Sequence, residues 1–126
     1  MKHTVAVYGS LKEGFHNHSL LKGAKKLGEG LLSSSYLMHS YGSCPALERT
    51  TEPSAPIHVE VYEVDDKGLE ALDYLEGYHP DRVPRLNFYQ RTKDTTTDGL
   101  EVWVYVVDEA TISRGIVASG KWEMGC

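Results

Sequence analysis

One carboxylate in this sequence stands where helical spacing would place an apolar side chain. Leu69, Leu72 and Glu76 are spaced i, i+3, i+7, so they share one face of a helix, and Leu75 widens that apolar stripe. Asp66, Glu70 and Asp73 follow a second row, i, i+4, i+7, and read as ordinary solvated charge. Burial disfavours an ionised carboxylate, and the negative end of the helix dipole disfavours it further. Both effects raise the pKa of Glu76 toward the range a general acid/base needs near neutral pH. The alternative is that Glu76 sits at a fraying helix end and swings into solvent.

A second feature lies near the N-terminus. Tyr8-Gly9-Ser10-Leu11 directly follows a β-branched, apolar run. A strand ending in Gly-Ser turns sharply and leaves backbone N–H groups free to hold a carboxylate or an oxyanion. A plain turn is the other reading.

Other polar residues carry less. The loop pair His16 and His18 has no Cys or carboxylate at ligand spacing, which argues against a metal site. Ser10 lacks the Gly-x-Ser-x-Gly setting of a strained nucleophile. Cys44, before Pro45, is a conceivable thiol nucleophile but reads first as structural. Arg91 reads first as a partner for an acid of the fold.

These residues need elements to hold them. His3 to Tyr8 reads as a buried strand, Ser19 to Lys22 as one helical turn, and Leu27 to Met38 as strand with a break. Tyr41 to Pro45 reads as a turn-rich loop, and Glu48 to Pro56, with two prolines, as an exposed connection. Ile57, Val59 and Val61 alternate with His58, Glu60 and Tyr62, which marks a strand. Asp65-Asp66 is an N-cap pair for a helix ending near Glu76, with Gly77 just past its end. Phe88 to Thr92 and Leu100 to Val107 form a hairpin through Asp98-Gly99. On the last strand Trp103 and Tyr105 share one face, and Val102, Val104 and Val106 the other. The tail, 111–126, is weakly patterned. The expected fold is a single α+β domain over residues 1–126, with a mainly antiparallel, barrel-like sheet.

Bulk properties narrow the function. The 126 residues include 40% apolar and 25% charged side chains, enough for one core without staples. A formal charge of −5 with no dense Lys/Arg cluster argues against nucleic acid as a partner. No stretch has the length of a membrane span or the form of a signal peptide. Two cysteines, Cys44 and Cys126, suggest no disulfide framework. A cytoplasmic location is the expectation.

Taken in order, Val7-Tyr8-Gly9-Ser10-Leu11, Gly14, Asn17 and Leu20-Leu21 resemble the N-terminal signature of the gamma-glutamyl cyclotransferase-like proteins, of the gamma-glutamylamine cyclotransferase type. Pro45-Ala46-Leu47 is similar to that family's second loop. Val61-Tyr62-Glu63-Val64 and Leu72-Asp73-Tyr74-Leu75-Glu76-Gly77-Tyr78 resemble its strand-helix core, and Tyr89-Gln90-Arg91 and Val102 to Val106 its later strands. The likeness spans about residues 4 to 107. It implies a small β-barrel with flanking helices and a reaction in which a gamma-glutamyl compound releases its amine and closes to 5-oxoproline. It further implies Glu76 as the catalytic acid/base, substrate binding by Tyr8, Gly9, Ser10 and Leu11, and a substrate hydrogen bond from Tyr105. No metal or organic cofactor is implied. The partner is then a small gamma-glutamyl molecule, with no nucleic acid or membrane, and the oligomeric state is open. The alternative is a protein of the same fold that only binds a small ligand; an acid on the apolar helix face favours the enzyme.

Overall fold

The computed structural model describes residues 1–42, 44–81, 87–110 and 112–123. Among these residues, seven strands and one α-helix form two layers around a central sheet. In chain order they are β1 (Lys2–Val7), β2 (Lys25–Leu31), β3 (Tyr36–Ser40), β4 (Pro45–Arg49), β5 (His58–Asp65), α1 (Asp66–Leu75), β6 (Gln90–Thr95) and β7 (Glu101–Val106), with a 3-10 turn at His18–Leu21. The main sheet runs β2-β5-β1-β7-β6, and β3-β4 form a separate hairpin. All pairings are antiparallel except β1 with β7.

The main sheet buries both faces. On one side Ala6, Val59, Val61, Val102, Val104 and Val106 meet Met38 and Leu47 of the hairpin and Trp122 of the tail. On the other, Val5, Val7, Tyr62, Val64 and Tyr105 meet Leu69 and Leu72 of α1. Tyr62 is therefore core, although alternation puts it on the polar side of its strand. The α+β class stands. Among the described residues there is one α-helix, and the sheet shows no closed barrel. Its edges touch only at one end, where Leu32 bridges Thr96 and Ser33 N–H donates to the Thr95 carbonyl at 2.8 Å.

The segments read as loop and exposed connection run into β4 from either side. It is short, begins at proline, and buries residues to both sides, Leu47 toward the hairpin side and Ala46 toward the helix side. No polar–apolar alternation survives to reveal it. The tail is ordered against β3, with Val117 N–H donating to the Met38 carbonyl at 2.7 Å. Its Trp122 carbonyl accepts from the buried Lys12 ammonium at 2.5 Å.

Topology sets where the site must be. β5 runs antiparallel to β1, so it ends beside Lys2. There the Asp65 side chain accepts from Gly68 N–H at 2.7 Å and caps α1. The helix then runs back along β1, about 15 Å for its ten residues. Its C-terminus thus arrives beside the C-terminal ends of the parallel strands β1 and β7.

Candidate active site

α1 stops through a complete Schellman arrangement. Tyr78 N–H donates to the Asp73 carbonyl at 2.9 Å and Gly77 N–H to the Tyr74 carbonyl at 3.2 Å. Gly77 has φ of 66°, a conformation that glycine enters without a Cβ penalty. This stop holds Glu76 as the C-cap residue, with φ −82° and ψ 0°, so its side chain has a fixed origin.

The β1 end is built differently. After Val7 the chain turns at once, and Lys12 N–H donates to the Gly9 carbonyl at 3.1 Å. Asn17 clamps the turn twice: its backbone N–H reaches the Ser10 carbonyl at 2.8 Å and its side-chain amide the Ser10 hydroxyl at 2.9 Å. A Cβ on Gly9 would lie 2.9 Å from Pro45 Cγ, so this position requires glycine for close approach to β4. Among the described residues no hydrogen bond engages the N–H groups of Gly9, Ser10 and Leu11.

These two ends share one cavity of about 370 Å³, lined by Tyr8, Gly9, Ser10, Leu11, Asn17, Glu76 and Tyr105 among others. That volume suits a small molecule. All six residues expected of the site from sequence therefore line a single space. Glu76 is the one charged side chain among its described lining residues. No described group hydrogen-bonds or ion-pairs with that carboxyl, and burial alone pushes it up to about 7.

The tyrosines around it are committed. Tyr8 donates to the Tyr105 carbonyl at 2.6 Å, and Tyr89 to the Pro45 carbonyl at 2.9 Å. Tyr105 donates to Asp73 Oδ1 at 2.7 Å, and burial pushes its own pKa well above the usual tyrosine range. Its hydroxyl hydrogen is therefore engaged by Asp73, which leaves the oxygen's lone pairs as its remaining hydrogen-bonding capacity.

Asp73 corrects the sequence reading. It is not a solvated charge: its side chain is 13% exposed and pairs with Arg91 Nη1 at 2.7 Å. Arg91 stacks on Trp103, 4.5 Å from the ring centroid, and so takes the structural role expected of it. Helical spacing missed Asp73 because β6 and β7 cover the end of a face that is open at Asp66 and Glu70. Cys44 lines the cavity as a disulfide-bonded residue, not a thiol. That withdraws it as a nucleophile and corrects the expectation that the two cysteines form no disulfide. Cys126 lies outside the described residues. The opening of the cavity, at Tyr41, Leu75, Phe88 and Ile112, also went unrecognised in the sequence.

A model of the family described as "Gamma-glutamyl cyclotransferase, AIG2-like" matches residues 5–124. Two curated relatives bear the name "Putative gamma-glutamylcyclotransferase". The one from Vibrio cholerae is 32% identical over 122 residues, covering 97% of this chain and 96% of that protein. The one from Methanocaldococcus jannaschii is 38% identical over 125 residues, covering 94% of each. The crystal structure of an AIG2-like protein from Mus musculus superposes with a TM-score of 0.79, covering 97% of this chain and 88% of that one. At 23% identity that likeness speaks to fold alone.

Proposed function

This chain belongs to the gamma-glutamyl cyclotransferase, AIG2-like family, and on that premise we propose that it releases an amine from a gamma-glutamyl compound and forms 5-oxoproline. The substrate's α-amine attacks its own γ-carbonyl. A C–N bond to the α-nitrogen forms, and the bond to the leaving nitrogen breaks. Nucleophile and electrophile arrive tethered, so no covalent enzyme intermediate is required. Glu76 is the general base that takes a proton from the attacking amine and the general acid that returns one to the leaving nitrogen. The proton balance closes on that one carboxyl, and neither water nor a cofactor is consumed.

The observation that carries this reading is the carboxyl itself: unpartnered, pushed to about 7, and in the same cavity as three unengaged N–H groups. At neutral pH both its protonation states are populated, as a group that takes and returns a proton in one cycle needs. The N–H groups of Gly9, Ser10 and Leu11 receive the glutamyl carboxylate or the oxyanion of the tetrahedral intermediate. Tyr105, whose hydroxyl donates its hydrogen bond to Asp73, offers a lone pair to the substrate amine and turns it toward the γ-carbonyl.

The test is a panel of gamma-glutamyl amines and amino acids incubated with purified protein, with 5-oxoproline measured by mass spectrometry. Release by the wild type and none by Glu76→Gln is the expected result. Binding of the panel by calorimetry without any 5-oxoproline would identify a ligand-binding protein of this fold instead.

A further inference from the structure

The cavity has two parts of different character. Its floor is buried: Tyr8, Leu11, Tyr89 and Tyr105 are each 7% exposed or less. Its rim is not. Leu75 is 38%, Phe88 55% and Ile112 58% exposed, and Tyr41 completes the opening. Single exposed apolar side chains are ordinary, but three around one opening form a patch, and such patches mark binding surfaces.

From this we infer that the amine released is hydrophobic, an arylalkyl or branched alkyl amine in place of a polyamine or a lysine side chain. The inference rests on the cyclotransferase reading above. With the glutamyl head at the turn and Glu76 at the reacting nitrogen, the rest of the leaving group extends past the rim. There Tyr41 and Phe88 meet edge to face at 6.2 Å, and Phe88 in turn meets Tyr89 at 4.9 Å. A ring or branched chain seated on this wall is removed from water together with Leu75 and Ile112.

Among the described lining residues a distal ammonium would find no free counterion, and Glu48, whose charge acts on Tyr41, is already held by His39 and the Ala110 N–H. Glu76 is the one acid among the described lining residues, and it is occupied at the reaction centre. One aromatic face at a wet rim is a weak substitute, since an exposed cation–π contact is worth less than burial of a whole ring. Tyr41 and Phe88 also stand 82° apart, so they do not present two parallel faces to a cation.

The experiment compares kcat/KM across compounds with the same glutamyl head: the 2-phenylethylamide, the isoamylamide, the ethylamide, the conjugate of 1,4-diaminobutane and the conjugate of the lysine ε-amine. The two apolar conjugates should exceed the two cationic ones by about tenfold or more. Phe88→Ala should lower kcat/KM for the phenylethylamide about tenfold, mainly through KM, and narrow the gap. Ile112→Glu, which adds a rim counterion, should raise kcat/KM for the diaminobutane conjugate and lower it for the phenylethylamide. Equal or better turnover of the cationic conjugates by the wild type overturns the inference and leaves the cyclotransferase reading intact. Absence of 5-oxoproline from every compound overturns the reading, and the inference with it.

Discussion

The two sides of the C-terminal end of α1 make opposite use of a carboxylate. Asp73 faces β6 and β7, where both its oxygens are taken, one by Tyr105 and one by Arg91. Glu76, one turn on, faces the cavity with no described partner and a pKa of about 7. The same helix and nearly the same depth give a structural anion in one case and a titrating group in the other. Position on a helix does not decide which; the partners do.

Exchange of each charge for its amide should break that contrast in different observables. Glu76→Gln keeps the shape of the side chain but can neither take nor return a proton. Turnover should fall by at least about a hundredfold while the fold persists. Steady-state kinetics beside a thermal melt tests this, and near-wild-type turnover removes Glu76 from the mechanism. Asp73→Asn should instead act on stability. It leaves the guanidinium of Arg91, 14% exposed, without its counterion. A loss of about 3 kcal/mol is expected in denaturant unfolding. Glu70→Gln, on the exposed part of the same helix, is the quiet control. An Asp73→Asn protein as stable as that control would show that the ion pair contributes nothing.

The third prediction sharpens the contrast through pH. Glu76 moves from an ordinary 4.5 to about 7 in the folded state. Between these values the folded protein holds a proton that the unfolded chain has released. The contribution of Glu76 to stability is therefore full below about 4.5 and is lost as pH rises through about 7. Linkage caps the loss at about 3 kcal/mol, and the half-buried position reduces it to about 1–2 kcal/mol. Glu76→Gln should then melt higher than wild type at pH 8 and no higher at pH 4. In the wild type, kcat/KM should rise with pH through about 7 as the base becomes free. Equal melts at pH 8, or a flat rate profile across pH 6 to 8, would contradict the raised pKa.

How much of this was legible in the sequence follows the same division. Glu76 stood out because it breaks a local pattern, and three or four neighbouring residues suffice to see that. The N-cap at Asp65, the stop at Gly77 and the turn at Gly9 are local in the same sense. Asp73 was misread because its partners lie 18 and 32 residues away, and nothing in helical spacing reports them. β4 was missed because burial toward both sides erased its alternation. The rim was missed because exposure of Phe88 and Ile112 is a property of the folded surface, not of their neighbours in the chain. A barrel-like sheet was expected from the strand pattern and from the resemblance; among the described residues the sheet edges meet at one end, through the Leu32–Thr96 bridge and the hydrogen bonds beside it.

The smallest effect tests the one bond that joins the two sides. Tyr105 lines the cavity of Glu76 and donates a hydrogen bond to Asp73. Tyr105→Phe keeps the ring in its packed place beside α1 and removes only that hydroxyl. Asp73 retains Arg91, so no charge is left unpaired, and the cost is one hydrogen bond to a carboxylate, about 1.5 kcal/mol. The backbone carbonyl of Tyr105 still accepts from Tyr8, so the turn after β1 is untouched. If the hydroxyl is also the acceptor that turns the substrate amine, kcat should fall several-fold with little change in KM, because the attacking amine is misaligned more than the ligand is loosened. The double variant Tyr105→Phe with Asp73→Asn tells the two roles apart. A bond that only supports the fold makes the pair of stability losses less than additive and leaves kcat to track stability. An acceptor that orients substrate lowers kcat in Tyr105→Phe by a factor that Asp73→Asn does not reproduce.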